Sequence, residues 1–213
     1  MGPGVDATAL LNAFATLFVT IDPIGLIPIY IGLTGGLARS DKRAVALRAC
    51  VIAAGILLLF TFAGSAILAL FGMTLPAFRV AGGLLLFAIA IEMVFEKRRE
   101  RQESAVERAV ADEHLRSLAV FPLALPLIAG PSGISATILL SGSLGGIGGQ
   151  LVVAAMVLVI CTITFVVFSL SERAERLLGE IGRIILTRLL GVLLAALAVQ
   201  FVADGVRSLI EAA

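Results

Sequence analysis

The stretch that decides the architecture of this 213-residue chain is DPIGLIP, residues 22–28, which lies inside an apolar run from residue 7 to residue 33. Asp22 is the only charged residue between Asp6 and Arg39. A run of this length is right for crossing a bilayer, and a carboxylate at mid-depth costs roughly 2.5–3.5 kcal/mol on insertion scales. Such a residue is retained when it faces a cavity, a partner or a ligand. Asp22 is therefore the first candidate functional residue.

The composition of the chain indicates a membrane protein. It is 60% hydrophobic with a mean hydropathy of +1.10, whereas a soluble domain is about 45–50% apolar. The stretch 117–171 contains no charged residue at all. Lipid requires every backbone polar group to be paired internally, so we predict an all-α polytopic membrane protein. The formal net charge of +1 does not favour a nucleic-acid partner.

The apolar runs predict six transmembrane helices in a single transmembrane domain, 1–213. The Gly-rich run GSLGGIGG, residues 142–149, divides the long uncharged stretch into two spans. The first span lacks a basic n-region and carries Asp and Pro at its centre, which is not the pattern of a signal peptide. Cys50 and Cys161 lie on different spans and are expected to be small buried residues, with no disulfide or metal site. The spans are placed at about 7–33, 46–71, 76–96, 118–141, 150–170 and 184–207.

The basic residues predict the orientation of these spans. Fourteen of the 16 Lys and Arg residues fall in the first, third and fifth connections, and only Arg79 and Arg207 fall on the other side. The positive-inside rule therefore places the odd-numbered connections in the cytoplasm and both termini outside it. The third connection, about 97–116, mixes acidic and basic residues, so we interpret it as a solvated cytosolic linker.

Two sequence landmarks recur at a nearly constant offset. DPIG at 22–25 is answered by GPSG at 130–133, and RVAG at 79–82 is answered by RLLG at 188–191, which are offsets of 108 and 109. This predicts two halves of three spans each, about 7–96 and about 117–207. Because three is odd, the second half must be inverted. Inverted three-plus-three repeats with broken helices are an architecture of secondary transporters.

The landmarks also predict where spans one and four break. Asp is a favoured N-cap and Pro a favoured first helical residue, so Asp22-Pro23 indicates a helix start at mid-membrane. Pro23 and Pro131 remove the donors that the carbonyl groups of Val19 and Leu127 would use in a continuous helix. Further kinks are expected at the other prolines of these spans, Pro28, Pro122 and Pro126.

Broken helices at mid-membrane would form a binding site for a zwitterion. The unpaired N–H groups of the distal halves suit a carboxylate, while Asp22 and the freed carbonyl groups suit an ammonium group. Two other interpretations stay open: Asp22 only caps the N–H of Ile24 or Gly25, and the Ser and Thr hydroxyls only satisfy their own helices. Asn12 and Tyr30 are candidates for lining the two entrances. The candidate substrate-binding residues are Thr20, Asp22, Pro23, Ile24, Gly25, Gly130, Pro131, Ser132, Gly133 and Ser135.

The Asp-Pro-x-Gly run, together with PLALPLIAGP at 122–131, resembles the MarC/SnatA family of prokaryotic inner-membrane proteins over essentially the whole chain. The resemblance implies gradient-driven transport of small neutral amino acids such as glycine, alanine or serine, within the LysE-like group of exporters. It also implies a location in a prokaryotic cytoplasmic membrane. Many relatives in this family carry Asn after Asp-Pro-x-Gly where this chain has Leu26, and if that Asn contacts substrate, the departure implies a shifted selectivity or a less polar site.

Three function classes follow from the sequence. The first is a secondary transporter or exporter of small neutral amino acids, with no cofactor except a coupling proton or sodium ion. The second is an inorganic ion transporter or channel, and the third is a non-transporting membrane assembly or regulatory protein. An enzyme is not expected, because the chain shows no nucleophile–base set, metal-ligand cluster or phosphate loop. The glycines Gly64, Gly82 and Gly83 suit helix packing within one chain or in a homo-oligomer.

Overall fold

The computed structural model of the protein describes residues 7–35, 37–95 and 119–211. Those residues are mostly helical and include no β-strand, so the predicted all-α fold is confirmed. The predicted cytosolic linker, 97–116, lies outside the described residues. The elements are α1 (Ala7–Ile21), α2 (Ile27–Thr34), α3 (Arg39–Leu70), α4 (Leu75–Val94), a π-helix (Ala119–Ile128), α5 (Pro131–Leu144), α6 (Gly146–Ser169) and α7 (Ser171–Glu211).

Several of these helices are suited to lipid. The helices α3, α4 and α6, together with Ile181–Glu211 of α7, are each long and apolar enough to cross a membrane, and α1 is a shorter apolar helix. Their outward faces carry large apolar side chains, among them Leu70, Ile147 and Ile181. In water such a surface would be an aggregation liability, whereas in a bilayer it is the solvated face. The molecule is an integral membrane protein.

One helix begins earlier in the chain than the apolar pattern predicted, and another span begins close to its predicted position. The second span was expected from residue 46, but α3 begins at Arg39. The sixth was expected from residue 184, and the span that follows the kink at Gly179, where φ is 62°, begins at Ile181. A separate helical segment from Ser171 precedes that kink. Hydropathy therefore locates the lipid-facing part of a helix and not its first residue.

The turn between α5 and α6 is made by glycine, as the Gly-rich run predicted. Gly145 and Gly146 have φ values of 65° and 62°, a left-handed conformation that residues with a Cβ rarely adopt. The amide of Gly145 donates to the Ser141 carbonyl oxygen at 3.2 Å, which ends α5. The chain then reverses and enters α6 within two residues.

The helices α4 and α7 pack against each other with their backbones close together. A Cβ on Gly83 would lie 2.9 Å from the Ala198 carbonyl oxygen, and one on Gly191 would lie 3.1 Å from that of Ala90. The earlier residue on α4 thus pairs with the later residue on α7, and the later with the earlier, so the two helices are antiparallel. Small residues are the usual means by which membrane helices approach this closely. These glycines serve packing within one chain.

The broken segments lie among the long helices. Side chains of α1, α3, the π-helix and α6 form one buried cluster that includes Leu17, Leu57, Leu123 and Ile160. A second cluster joins α4 and α7 and is continued by Val19 of α1. The ends of α1 and the π-helix are therefore inside the bundle, where water does not replace missing backbone hydrogen bonds.

The close approach of α4 and α7 predicts a large difference between two glycine substitutions. Gly83→Ala is expected to lower the free energy of unfolding by about 1–3 kcal/mol, because the new methyl group meets backbone atoms of α7. Gly55→Ala on α3 is the control, because a Cβ there has no atom within 4 Å. It is expected to be neutral or stabilising. Unfolding in mixed micelles with increasing dodecyl sulfate measures both, and equal stability of the two variants would contradict the packing.

Candidate functional site: two helix breaks

The first break separates α1 from α2 and is organised by Asp22. The Asp22 amide still donates to the Phe18 carbonyl oxygen at 2.9 Å, so the residue completes the last turn of α1. Its φ of 55° then turns the chain out of the helix. Asp is one of the few non-glycine residues that adopt this conformation routinely, at a cost of about 1–2 kcal/mol. The next position is a proline, which cannot continue α1.

Asp22 also stabilises the turn that leads into α2. Its Oδ1 accepts a hydrogen bond of 3.0 Å from the Gly25 amide, and its carbonyl oxygen accepts one of 3.2 Å from the Leu26 amide. The capping interaction proposed from the sequence is therefore present, with Gly25 as the donor. The regular part of α2 begins at Ile27, with Leu26 as its N-cap residue, and not directly after Pro23. Asp22 is buried, with 3% of its surface exposed.

The contact between Asp22 and Gly25 leaves no room for a side chain at position 25. A Cβ on Gly25 would lie 2.7 Å from Asp22 Cγ and closer still to Oδ2. Any other residue would push the carboxylate away from the amide that it caps. The glycine of Asp-Pro-x-Gly is thus required by the position of the aspartate.

The second break separates the π-helix from α5. The Ala129 amide donates to the Ala124 carbonyl oxygen at 2.9 Å, five residues back, which is the wide pattern of a π-helix. Gly130 is the N-cap residue of α5 with extended backbone angles, and Pro131 occupies the first turn, as predicted. The first turn of a helix carries N–H groups that have no partner within that helix. The N–H groups of Ser132 and Gly133 lie in the first turn of α5.

The two breaks lie next to each other. A Cβ on Gly133 would lie 4.0 Å from Ile21 Cγ1, 3.5 Å from Leu57 Cδ2 and 3.3 Å from the Ile128 carbonyl oxygen. Ile21 is the last residue of α1 and precedes Asp22 directly. The start of α5 therefore lies against the end of α1, and the tightest contact of a side chain at position 133 would be with the Ile128 carbonyl oxygen.

The other predicted site residues are distributed around these two breaks. Thr20, Pro23, Gly130 and Ser135 are buried, while Ile24, Gly25 and Ser132 are partly exposed. Pro131 is exposed, so its ring lies at the edge of the group. The Thr20 hydroxyl donates to the Thr16 carbonyl oxygen in its own helix. Whether these residues bind a ligand stays a prediction.

The prolines outside the breaks act differently from one another. Pro28 was expected to add a kink, but it lies in the first turn of α2. A proline is tolerated there because the amide at that position has no helical partner in any case. This prediction was wrong. Pro122 and Pro126 belong to the π-helix, in which the regular α-helical hydrogen bonding is replaced by a wider pattern.

One end of the bundle carries contacts that the sequence analysis did not find. The rings of Tyr30 and Phe168 stack with centroids 4.4 Å apart and an interplanar angle of 7°. The Tyr30 hydroxyl donates to the Lys42 carbonyl oxygen at 2.8 Å, and Lys42 Nζ lies 3.1 Å from Glu172 Oε1. These contacts join α2 and α3 to the junction of α6 and α7. The sequence predicted that Tyr30 lines an entrance. It did not predict the contacts with Phe168 and Lys42, because those residues are distant from Tyr30 in the sequence.

The acidic residues and cysteines of the described residues do not form a metal cluster. Among residues 7–35, 37–95 and 119–211, no three of His, Cys, Asp or Glu come together as metal ligands. Cys50 and Cys161 are buried free thiols, as expected. The predictions of no metal and no enzymatic activity stay predictions.

Comparison with known proteins identifies the family. The family model of MarC family integral membrane proteins matches residues 7–210. The chain belongs to the MarC family. A UPF0056 membrane protein of Aquifex aeolicus is 36% identical over 203 residues, covering 94% of each chain. UPF0056 membrane proteins YvbG of Bacillus subtilis and YhcE of Escherichia coli are each 33% identical, covering at least 94% of both chains. No solved structure matches the chain at a significant level.

The geometry of the first break gives a prediction for this MarC family protein. Gly25→Ala is expected to displace the Asp22 carboxylate and to lower the free energy of unfolding by about 1–2 kcal/mol through loss of the cap. The matched control is Gly32→Ala on α2, the helix that follows this turn, where a Cβ has no atom within 4 Å. Thermal unfolding in detergent compares the two. A Gly25→Ala protein as stable as Gly32→Ala would show that the cap contributes nothing.

Proposed function

We propose that this MarC family protein is a secondary transporter of small neutral amino acids, such as glycine, alanine or serine, across the cytoplasmic membrane. The observation that carries the proposal is the contact between two helix breaks inside an apolar bundle. One break presents a buried carboxylate, Asp22. The other presents the start of α5, with Gly133 against the end of α1.

The two breaks have opposite electrostatic character, which suits a zwitterion. The start of α5 carries the partial positive charge of a helix N-terminus, so its first-turn N–H groups favour a substrate carboxylate. Asp22 and the carbonyl groups that Pro23 and Pro131 leave without their regular donors favour an ammonium group. Gly25 and Gly133 keep the surroundings narrow, which favours substrates with small side chains.

The arrangement of the helices supports an inverted repeat of six spans. In this proposal α1 with α2, and the π-helix with α5, are the broken first spans of repeats at about 7–96 and about 117–207. Their third spans, α4 and α7, run antiparallel with glycines close to each other's backbone, as expected for elements related by an axis in the membrane plane. Both termini then lie outside the cytoplasm, and a proton or sodium ion provides the coupling.

The contacts at the end of the bundle support alternating access. Asp22 is 3% exposed, so its carboxylate is closed to solvent in this conformation. The stack of Tyr30 on Phe168 and the ion pair of Lys42 with Glu172 lie between the site and the predicted cytoplasmic side. Opening toward that side requires these contacts to separate.

The transport proposal predicts the effect of removing one charge. Asp22→Asn is expected to abolish uptake of labelled glycine and alanine into proteoliposomes, because the ammonium group loses its counter-charge. The variant should stay folded, since the Asn side-chain oxygen still accepts the Gly25 amide. Asp41→Asn, an exposed residue in the first turn of α3, is the control and should transport as the wild type does.

Imposing pH and sodium gradients separately in the same vesicles identifies the coupling ion. Wild-type rates in Asp22→Asn would reduce Asp22 to a helix cap and contradict the proposed role. Uptake of an inorganic cation, without uptake of amino acids, would favour the ion-transport alternative. No solute flux by the wild type under any gradient would favour a non-transporting membrane protein.

The ion pair between Lys42 and Glu172 gives a second prediction, in which the labelling of the two native cysteines measures opening of this end of the bundle. Cys50 lies two turns beyond Arg43 on α3, and Cys161 lies two turns before Phe168 on α6, and both thiols are buried. Glu172→Gln is expected to raise their labelling rate by a small thiol reagent up to about fivefold, since an exposed ion pair contributes up to about 1 kcal/mol. The exchanged pair Lys42→Glu with Glu172→Lys should restore the slow rate.

The control for this labelling is Glu211→Gln at the end of α7. It removes the same charge from an exposed position outside these contacts and should leave the rate unchanged. If Glu172→Gln and the exchanged pair label at the wild-type rate, the ion pair does not hold this end closed.

A further inference from the structure

A cavity of about 490 Å³ lies at the end of the bundle where α3 begins and where α6 passes into α7. Its walls come from the first turn of α3 on one side and from residues 168–173 on the other, and Tyr30 is part of its lining. The cavity is far larger than a glycine or alanine substrate. It is also separate from the helix breaks, because neither 22–26 nor 129–133 contributes to its lining.

The charges that line this cavity are mostly positive. Among the described residues, four cations line it and a single carboxylate does, that of Glu172. Glu172 is paired with Lys42 at 3.1 Å, and Arg43 is held over the Phe165 ring with its guanidinium carbon 5.7 Å from the ring centroid. Like charges on the walls of a low-dielectric concavity focus a positive potential into it. The four cations are Arg39, Lys42, Arg43 and Arg173.

Two of these cations stand where their own helices disfavour them. Arg39 is the first residue of α3, and Arg173 lies in the first turn of α7. A helix N-terminus carries a partial positive charge, so a cation there is destabilising. An anion between the two helices would reverse that effect. Arginine also binds the oxygens of phosphate in a bidentate geometry.

The cavity lies where charged helix starts meet apolar spans, which is where the sequence predicts the headgroup region. The charged start of α3 precedes its apolar part, and the charged segment 172–180 precedes the apolar span Ile181–Glu211 of α7. Leu170 lines the cavity and is exposed, with 45% of its surface accessible. Exposed Leu47 and Val166 continue an apolar surface on α3 and α6. A basic pocket between membrane helices with apolar residues at its side is suited to an anionic headgroup.

We propose that this cavity is a binding site for a phosphate group, carried by the headgroup of an anionic phospholipid or free in solution. Arg39 and Arg173 supply the bidentate contacts from opposite walls, and Arg43 adds a third positive charge. The site does not depend on the transport proposal, because its residues are separate from Asp22 and the helix breaks. It places one specific anion at the predicted cytoplasmic end of the bundle.

The test uses the full chain, delipidated in a neutral detergent, and follows its thermal unfolding midpoint. Phosphatidylglycerol is expected to raise the midpoint with a saturable dependence on concentration, and phosphatidylcholine is the zwitterionic comparison. Inorganic phosphate is added separately at an ionic strength matched with sodium chloride. If only phosphatidylglycerol raises the midpoint, the ligand is a lipid headgroup. If inorganic phosphate also raises it, the phosphate group alone is sufficient for binding.

Matched variants test the assigned residues. Arg39→Gln and Arg173→Gln are each expected to weaken binding about tenfold, the loss of roughly one charge-assisted contact. Arg48→Gln removes the same charge from the same helix as Arg39 but from an exposed position outside the cavity lining, and it should bind as the wild type does. Because Arg39 and Arg173 are both exposed, either variant alone suffices if the other fails to fold.

Three results would overturn the proposal. The first is no saturable effect of either phosphatidylglycerol or phosphate on the wild-type protein. The second is an equal effect of phosphatidylcholine, which would indicate acyl-chain solvation and not recognition of an anion. The third is an equal loss of affinity in Arg48→Gln, which would indicate general attraction to a basic surface.

Discussion

Polar main chain cannot be left unpaired inside an apolar bundle, and the centre of this protein is built around that constraint. The chain breaks two helices there. At the first break, Asp22 ends α1 through its positive φ and caps the following turn through Oδ1 and the Gly25 amide. Asn, Ser or Thr would also cap a helix, without bringing a charge into an apolar interior. The use of Asp, which is more costly there, is what the proposed role in binding an ammonium group explains.

At the second break, the polar main chain is accommodated without a charged side chain. Its backbone is redirected by a π-helix, Gly130 and Pro131, and the N-cap residue contributes no side-chain hydrogen bond to the start of α5. One break therefore ends in a carboxylate and the other in main-chain N–H groups. A symmetric pair of aspartates would create like charges a few ångströms apart. The asymmetry instead places a carboxylate and a helix N-terminus next to each other, which is the arrangement that the proposed binding of an amino acid zwitterion uses.

The sequence predicted the features that depend on local chemistry. Pro23, Pro131 and their neighbours located both breaks, and the run of glycines located the turn between α5 and α6. It did not predict that α3 begins at Arg39, because a helix can extend beyond its apolar part into polar residues that the hydropathy pattern does not mark as helical. Nor did it predict that Lys42 meets Glu172 or that Tyr30 stacks on Phe168. Those contacts depend on how α2, α3 and the junction of α6 and α7 pack, and no local pattern encodes that packing.

The basic cavity and the proposed closure of the bundle are physically linked because they share Lys42 and Glu172. Arg39 and Arg43 belong to α3, whereas Arg173 belongs to the other wall. A movement that separates Lys42 from Glu172 therefore changes the distance between the cations that would hold a phosphate group. A ligand that bridges both walls binds the closed arrangement better than the open one, and it shifts the equilibrium only by that difference in affinity. By the same linkage, whatever favours the open end weakens binding of the anion by an equal factor.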